Sequence, residues 1–119
     1  KDIFAAAFFS EINEFPGHVR GGRVETPLGN VDGKHFNDGQ KVRVAVRLSG
    51  LHVSESGGDV PARILSRRFL GVVELLELAV SGSERPVRAR VRADQLAAGL
   101  RDVTLSANQR DILVFVKDG

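Results

Sequence analysis

The chain has 119 residues, of which 42% are apolar and 27% charged, and a formal net charge of +2. That length supports one domain with a core of its own, and so small a net charge marks no basic or acidic tail. Cysteine is absent, which excludes disulfides, thiol catalysis and cysteine-ligated zinc. No apolar run approaches the roughly 20 residues that a membrane-spanning helix needs.

Taken in chain order, only residues 2–7 suit a helix, and a short one. Residues 19–24, Val-Arg-Gly-Gly-Arg-Val, predict a hairpin: Gly-Gly supplies the positive φ of a two-residue primed turn, and valines flank it. Residues 27–33 are rich in turn formers and read as a loop. From Lys41 to Leu48, Val42, Val44, Val46 and Leu48 alternate with Arg43, Ala45 and Arg47, the period of a half-buried strand. Residues 54–59, Ser-Glu-Ser-Gly-Gly-Asp, are expected to form a flexible connector dividing the chain into halves of similar length.

Beyond it, residues 60–69 and 72–80 read as strands about Leu70-Gly71, with Leu76, Leu78 and Val80 on one face. After a turn at residues 81–83, Val87, Ala89 and Val91 alternate with Arg88, Arg90 and Arg92. Residues 94–98 suit one helical turn with Asp94 as N-cap. Residues 103–105 and 112–116 supply the last strands. Seven or eight short strands with tight turns predict an all-β barrel or sandwich. The halves are similar in kind, but no strong internal repeat is visible.

No set of catalytic residues can be assembled. The chain has neither a phosphate-binding loop nor a dinucleotide-binding glycine pattern. His18, His35 and His52 share no local spacing and read as surface histidines rather than metal ligands. No serine sits in a nucleophile elbow, and Glu74 and Glu77 fall on opposite faces of their strand. Catalytic, cofactor-binding and metal-ligating residues are therefore all assigned as none. Arg88, Arg90 and Arg92 are the candidate anion or partner contacts, with Arg63, Arg67 and Arg68 as neighbours. One reading makes them a solvated face paired with Glu74, Glu77 or Glu84. The other is an OB-type groove for single-stranded nucleic acid, which calls for aromatics interleaved with the arginines; here they are not.

Four segments resemble, in order, the C-terminal TOBE regulatory region of ABC importer ATP-binding subunits. In residues 5–19, Ala7, Phe8, Phe9, Asn13, Phe15 and Gly17 match, while Ser10 stands where that family usually has glycine. In residues 41–54, Val46 and Arg47 match a strand end at which Leu48 and Ser49 replace Pro-Glu. Residues 60–80 look like the strand, Leu-Gly, strand stretch that follows. In the last segment Gly99, Val103, Leu105, Ser106, Asp111, Val114 and Phe115 match. The wording is most similar to the ferric-iron (FbpC-like) branch.

The resemblance implies an OB-like (TOBE) β-barrel, in one or two small lobes. Residues 1–16 would be an arm leaving an upstream ATPase domain, and residues 17–119 the regulatory domain, with sub-lobes 17–56 and 57–119. ATP and magnesium would bind upstream, so this segment would hydrolyse nothing. It would form a homodimer, with Phe4, Phe8, Phe9 and Phe15 as candidate interface residues and strands open to exchange between copies. Its other partners would be the permease subunits, reached through the full ATPase, and a regulatory ligand. It would lie on the cytoplasmic side of the bacterial membrane without inserting. Asn13 then reads as a residue that ties down backbone groups. An oxyanion-sensing barrel is the alternative, with arginines and glycine-rich turns as donors.

Overall fold

Val42, Val44 and Val46 are all buried while Arg43 and Arg47 face water, so the alternation read from the sequence is a strand, Lys41–Arg47. The computed structural model describes residues 12–116, and within them the chain is all β. There are ten strands: β1 (Ile12–Arg20), β2 (Arg23–Thr26), β3 (Gly29–Asp32), β4 (Lys41–Arg47), β5 (Leu51–Ser54), β6 (Val60–Phe69), β7 (Val73–Ala79), β8 (Val87–Arg92), β9 (Asp102–Ala107) and β10 (Ile112–Val116). They form two five-stranded sheets, ordered β10-β4-β1-β2-β3 and β5-β9-β6-β7-β8. Every pairing is antiparallel. In the second sheet β8 comes back towards β5 and nearly closes a barrel, whereas the first sheet remains half open.

The hairpin at residues 19–24 forms as expected. Val19 faces Val24, Arg20 faces Arg23, and Gly21 and Gly22 have φ of 58° and 77°. Three expectations are corrected. Residues 27–33 contain a strand, β3, because Thr26 closes a tight turn onto Gly29 through its hydroxyl, which donates to the Gly29 carbonyl at 2.7 Å. Only Val31 of that strand is buried, so no alternation could announce it. Residues 94–98 hold no helical turn; the Asp94 carboxylate accepts from Arg92 Nε at 3.4 Å instead. The connector at residues 54–59 is pinned rather than loose: Gly58 N donates to Thr104 Oγ1 at 2.8 Å and Asp59 N to the Leu105 carbonyl at 2.9 Å. The helix expected at residues 2–7 lies outside the described residues.

Close approach makes Gly58 irreplaceable in place. A Cβ there would meet Thr104 Oγ1 at 2.7 Å and the Leu105 carbonyl oxygen at 3.0 Å. Gly58→Ala is expected to lower stability by about 1–3 kcal/mol, read as a lower urea midpoint. An unchanged midpoint would contradict the close packing of this crossing.

The two sheets are built the same way. Advancing β1 to β4 by five labels converts the first sheet order into the second, with β5 and β10 in equivalent edge places. Each half thus contributes four strands to its own sheet and sends the fifth to the other. The crossings are the short 3-10 turns at Leu48–Gly50 and Gln109–Asp111, which pack together, Gly50 against Asp111. The sheets therefore change over at residues 48–50 and again at 109–111, while the connector at 54–59 lies inside the second sheet. One core runs between them, formed by Phe15, Val19, Val44 and Val46 from the first and Leu76, Leu78, Val87 and Leu105 from the second. Burying such side chains stabilises by about 1.5–3 kcal/mol each before ordering costs.

Candidate functional site

The side chains of β8 divide cleanly. Val87, Ala89 and Val91 enter the core, so Arg88, Arg90 and Arg92 face outward. On β7, Glu74, Leu76 and Leu78 are buried, which leaves Leu75, Glu77 and Ala79 on the same outer face. A bulge at Leu65 shifts the parity of β6, so Ser66 and Arg68 also point outward. Register then sets up cross-strand rows. Arg68, Leu75 and Arg90 form one; Ser66, Glu77 and Arg88 form the next; Val73 and Arg92 begin a third. Neighbouring strands stand about 4.8 Å apart, so the backbones of Arg68 and Arg90 lie about 10 Å apart on either side of Leu75. In this face Glu77 is tied to Ser66, whose hydroxyl donates to it at 3.1 Å.

The three arginines singled out from the sequence do not act alike. Arg88 is half buried, and its guanidinium donates to the Ile12 carbonyl at 2.9 Å. It docks β1 on the second sheet. Arg92 is exposed and makes a long ion pair with Asp94. Arg90 is half buried, in the centre of the cationic rows. In the sequence Arg68 reads only as a neighbour. Its alignment with Arg90 depends on the Leu65 bulge, which no local pattern signals.

Asn13 ties down backbone groups, as its place in the sequence suggests. Its side-chain Nδ2 donates to the Arg88 carbonyl at 2.7 Å, and its Oδ1 accepts from Arg88 N at 2.8 Å. The amide thus stands in for one residue of a paired strand and closes the outer edge of β8. Glu74 is the other buried polar residue of the described chain, at 6% exposure. Arg67 grips it with both ends of the guanidinium, at 2.6 and 3.0 Å, and donates onward to the Leu96 and Ala97 carbonyls at 3.1 and 2.7 Å. The pairing of an arginine with Glu74 expected from the sequence is therefore present. Hydrogen bonding to Glu74 raises the Arg67 guanidinium above its ordinary range; burial works against this and charge attraction adds to it. A raised base stabilises fully below its unfolded value and loses that effect only above it. Arginine titrates far above neutrality, so the raised Arg67 guanidinium adds no pH dependence near neutral pH.

Phe15 is buried within the chain's own core at 5% exposure, so it offers no surface to a second copy. Phe4, Phe8 and Phe9 lie outside the described residues. His18, His35 and His52 are exposed on separate elements, and among the described residues no group of histidines and carboxylates is placed to hold a metal. An open depression beside the Gly21-Gly22 turn gathers Arg23 and Lys34 with Asp32, a mixed charge that suits an anion less well than the rows on β6 to β8. Among the described residues no helix is long and apolar enough to cross a membrane.

No protein-family model matches the chain, and no curated protein does. Solved structures do match. One is ModG, a cytoplasmic molybdate-binding protein, in a crystal form with molybdate bound; the TM-score is 0.67 at 14% sequence identity. The likeness covers 88% of this chain and 96% of ModG. The fold is OB-like. It is the class that the sequence resemblance implied, and both sheets take part in the likeness rather than one lobe alone.

Proposed function

We propose that the chain is a non-catalytic binding domain whose ligand is a small tetrahedral oxyanion of the molybdate kind. The observation that carries this reading is the likeness to a molybdate-binding protein along almost the whole of both chains. The outer face of β6 to β8 supports it by chemistry. Arg68 and Arg90 flank an apolar floor at Leu75, and guanidiniums present paired donors suited to an oxyanion. Phe69 falls on the opposite side of β6 from Arg68, beside Arg67, so this face lacks the stacking aromatic that a single-strand groove needs.

Thermal unfolding with and without added molybdate, tungstate, sulfate or phosphate tests the reading. A ligand at a hundredfold excess over its Kd adds about 2.7 kcal/mol, so the preferred anion is expected to raise Tm by several degrees. Arg90→Ala and Arg68→Ala are each expected to abolish most of that rise. A Tm unmoved by all four anions contradicts the proposal.

A second reading is favoured by the order of the sequence segments. In it the domain is the regulatory part of an ABC importer ATP-binding subunit of the ferric-iron branch. ATP and magnesium would then belong to an upstream domain, and the permease subunits would be reached through it. A reading frame that continues upstream of Lys1 into a phosphate-binding loop and an L-S-G-G-Q segment is the expected result. The two readings are compatible, because an importer's regulatory barrel can also bind an anion.

A further inference from the structure

Turns between paired strands are normally built from glycine, proline and small polar residues, as at Gly21-Gly22 and Ser81-Gly82-Ser83. The turn between β6 and β7 is built otherwise. It reads Phe69-Leu70-Gly71-Val72, and Phe69, Leu70 and Val72 are exposed at 69%, 49% and 82%. Gly71 closes the turn with φ of 99°, and a Cβ placed on it would meet no other part of the chain within 4 Å. The backbone of the tip is nevertheless held. Leu70 N donates to the Val73 carbonyl at 2.9 Å, and Ala93 N, just past β8, donates to the Val72 carbonyl at 3.0 Å. Three large apolar side chains thus stand together on a convex point rather than along a groove, and contiguous apolar exposure of this kind marks a contact site.

Charge surrounds the tip in a pattern that selects its partner. Antiparallel strands rise about 3.4 Å per residue, so Arg92, paired with Val73, stands level with the base of the turn, and Arg68, paired with Leu75, stands about 7 Å behind it. Across the pairs made by Val73 to Leu76, Arg67, Arg68, Arg90 and Arg92 outnumber the nearby carboxylates among the described residues, which are Glu74 on β7 and Asp94 just past β8. Glu74 is committed to Arg67, and Asp94 makes only a long, exposed pair with Arg92. This end of the second sheet is therefore apolar at its point and cationic behind it.

The geometry points to this turn as a membrane-contact tip: Phe69, Leu70 and Val72 enter the boundary between headgroups and acyl chains of an anionic bilayer, while Arg68 and Arg92 stay at the lipid phosphates. Interfacial apolar side chains settle about 5–10 Å deep, which the distance from the turn back to Arg68 matches. Guanidiniums pair well with phosphate oxygens, and each basic residue near an anionic surface adds to binding. A folded protein would need a pocket shaped to the tip, whereas a fluid bilayer accepts a convex apolar point of any outline. The resemblance to importer subunits implied a domain lying by the membrane without inserting; here three side chains enter and no strand crosses. The inference goes beyond the binding of a small oxyanion and does not rest on it.

Flotation of the 119-residue chain with vesicles of phosphatidylcholine and phosphatidylglycerol tests this. The chain is expected to float with these vesicles and to bind vesicles of phosphatidylcholine alone about tenfold less, because its arginines gain from anionic lipid. Leu70→Ser and Val72→Ser are each expected to weaken binding about tenfold, the loss for one large apolar side chain withheld from burial. Circular dichroism is expected to stay unchanged, since both positions are exposed. The chain contains no tryptophan, so Val72→Trp reports entry directly, by an emission that shifts to the blue when anionic vesicles are added. Leu70 and Val72 lie off the row of Arg68 and Arg90, so their serine variants are expected to keep any response to molybdate, and failure here is read apart from failure of anion binding. A parent chain that does not float with anionic vesicles, folded serine variants that float as well as the parent, or an unshifted tryptophan emission would each overturn the inference. Self-association without lipid that Val72→Ser abolishes would overturn it too, by giving the tip to a protein surface.

Discussion

Arg67→Ala is expected to destabilise the fold by about 3 kcal/mol, a large share of the 5–15 kcal/mol by which a domain exceeds its unfolded state. The reason is what remains. Glu74 is only 8% exposed at its side chain, and without Arg67 its carboxylate sits unpaired in the interior. The Leu96 and Ala97 carbonyls lose their donors in the same step. The segment from Ala93 to Arg101 would then be held at its ends, where Ala93 N donates to the Val72 carbonyl and the Arg101 carbonyl accepts from Ile64 N, by Leu96 and Leu100 at the core, and by Gln95, whose side chain donates to the Val53 carbonyl at 2.8 Å. Urea denaturation reads the stability, and amide exchange of residues 95–100 reads the loop. Replacing both partners by apolar residues, Arg67→Met with Glu74→Leu, is expected to cost less than Arg67→Ala alone, because no buried charge is stranded. A double variant worse than the single one contradicts this account of the pair.

Asn13→Ala is expected to cost about 2–3 kcal/mol. Two hydrogen bonds disappear, and each leaves a backbone group of Arg88 without its partner; an unsatisfied buried group costs about 1–3 kcal/mol. Asn13→Leu separates that effect from lost packing. Leucine keeps the bulk but can bond neither Arg88 N nor its carbonyl, so its cost is expected to match that of alanine. Amide exchange at residues 87–89 is expected to rise in both. A loss below about 0.5 kcal/mol in either variant would show that the amide pairing contributes little.

Much of this fold could be read from residues that alternate. Val42 to Val46 and Val87 to Val91 follow the two-residue period because one face of each strand meets the core. The Gly21-Gly22 turn was legible because few other residues take positive φ at two successive positions. β3 was hidden, since a four-residue strand with one buried side chain has no period to show. The exchange of β5 and β10 was hidden for another reason. Each reads locally as an ordinary strand, and only pairing over long sequence separations, Val53 with Leu105 and Val114 with Val44, assigns it to the other sheet.

The duplication left little trace in the sequence. Gly39 and Gly99 precede β4 and β9 with φ of 84° and 80°, but the equivalent 3-10 turns, Leu48-Ser49-Gly50 and Gln109-Arg110-Asp111, have no residue in common. Elsewhere the repeat is carried by the backbone. Val46 faces Ile112 across the first sheet and Ala107 faces Leu51 across the second, so the exchanged strands occupy equivalent registers although the paired residues differ.

Of the candidate site, the residue types were visible in sequence and the grouping was not. Arg88, Arg90 and Arg92 share a strand face by simple alternation. That Arg88 is occupied with Ile12, more than 70 residues away in the chain, depends on how the sheets pack. That Arg68 falls in line with Arg90 depends on one bulged residue.

Titration calorimetry of the 119-residue chain with sodium molybdate tests the central claim most directly. The account predicts a saturable heat that is weakened in Arg68→Ala and Arg90→Ala, while the fold of both variants is retained. No heat at about 1 mM molybdate, a concentration that reveals even weak sites, with tungstate and sulfate equally silent, would contradict it.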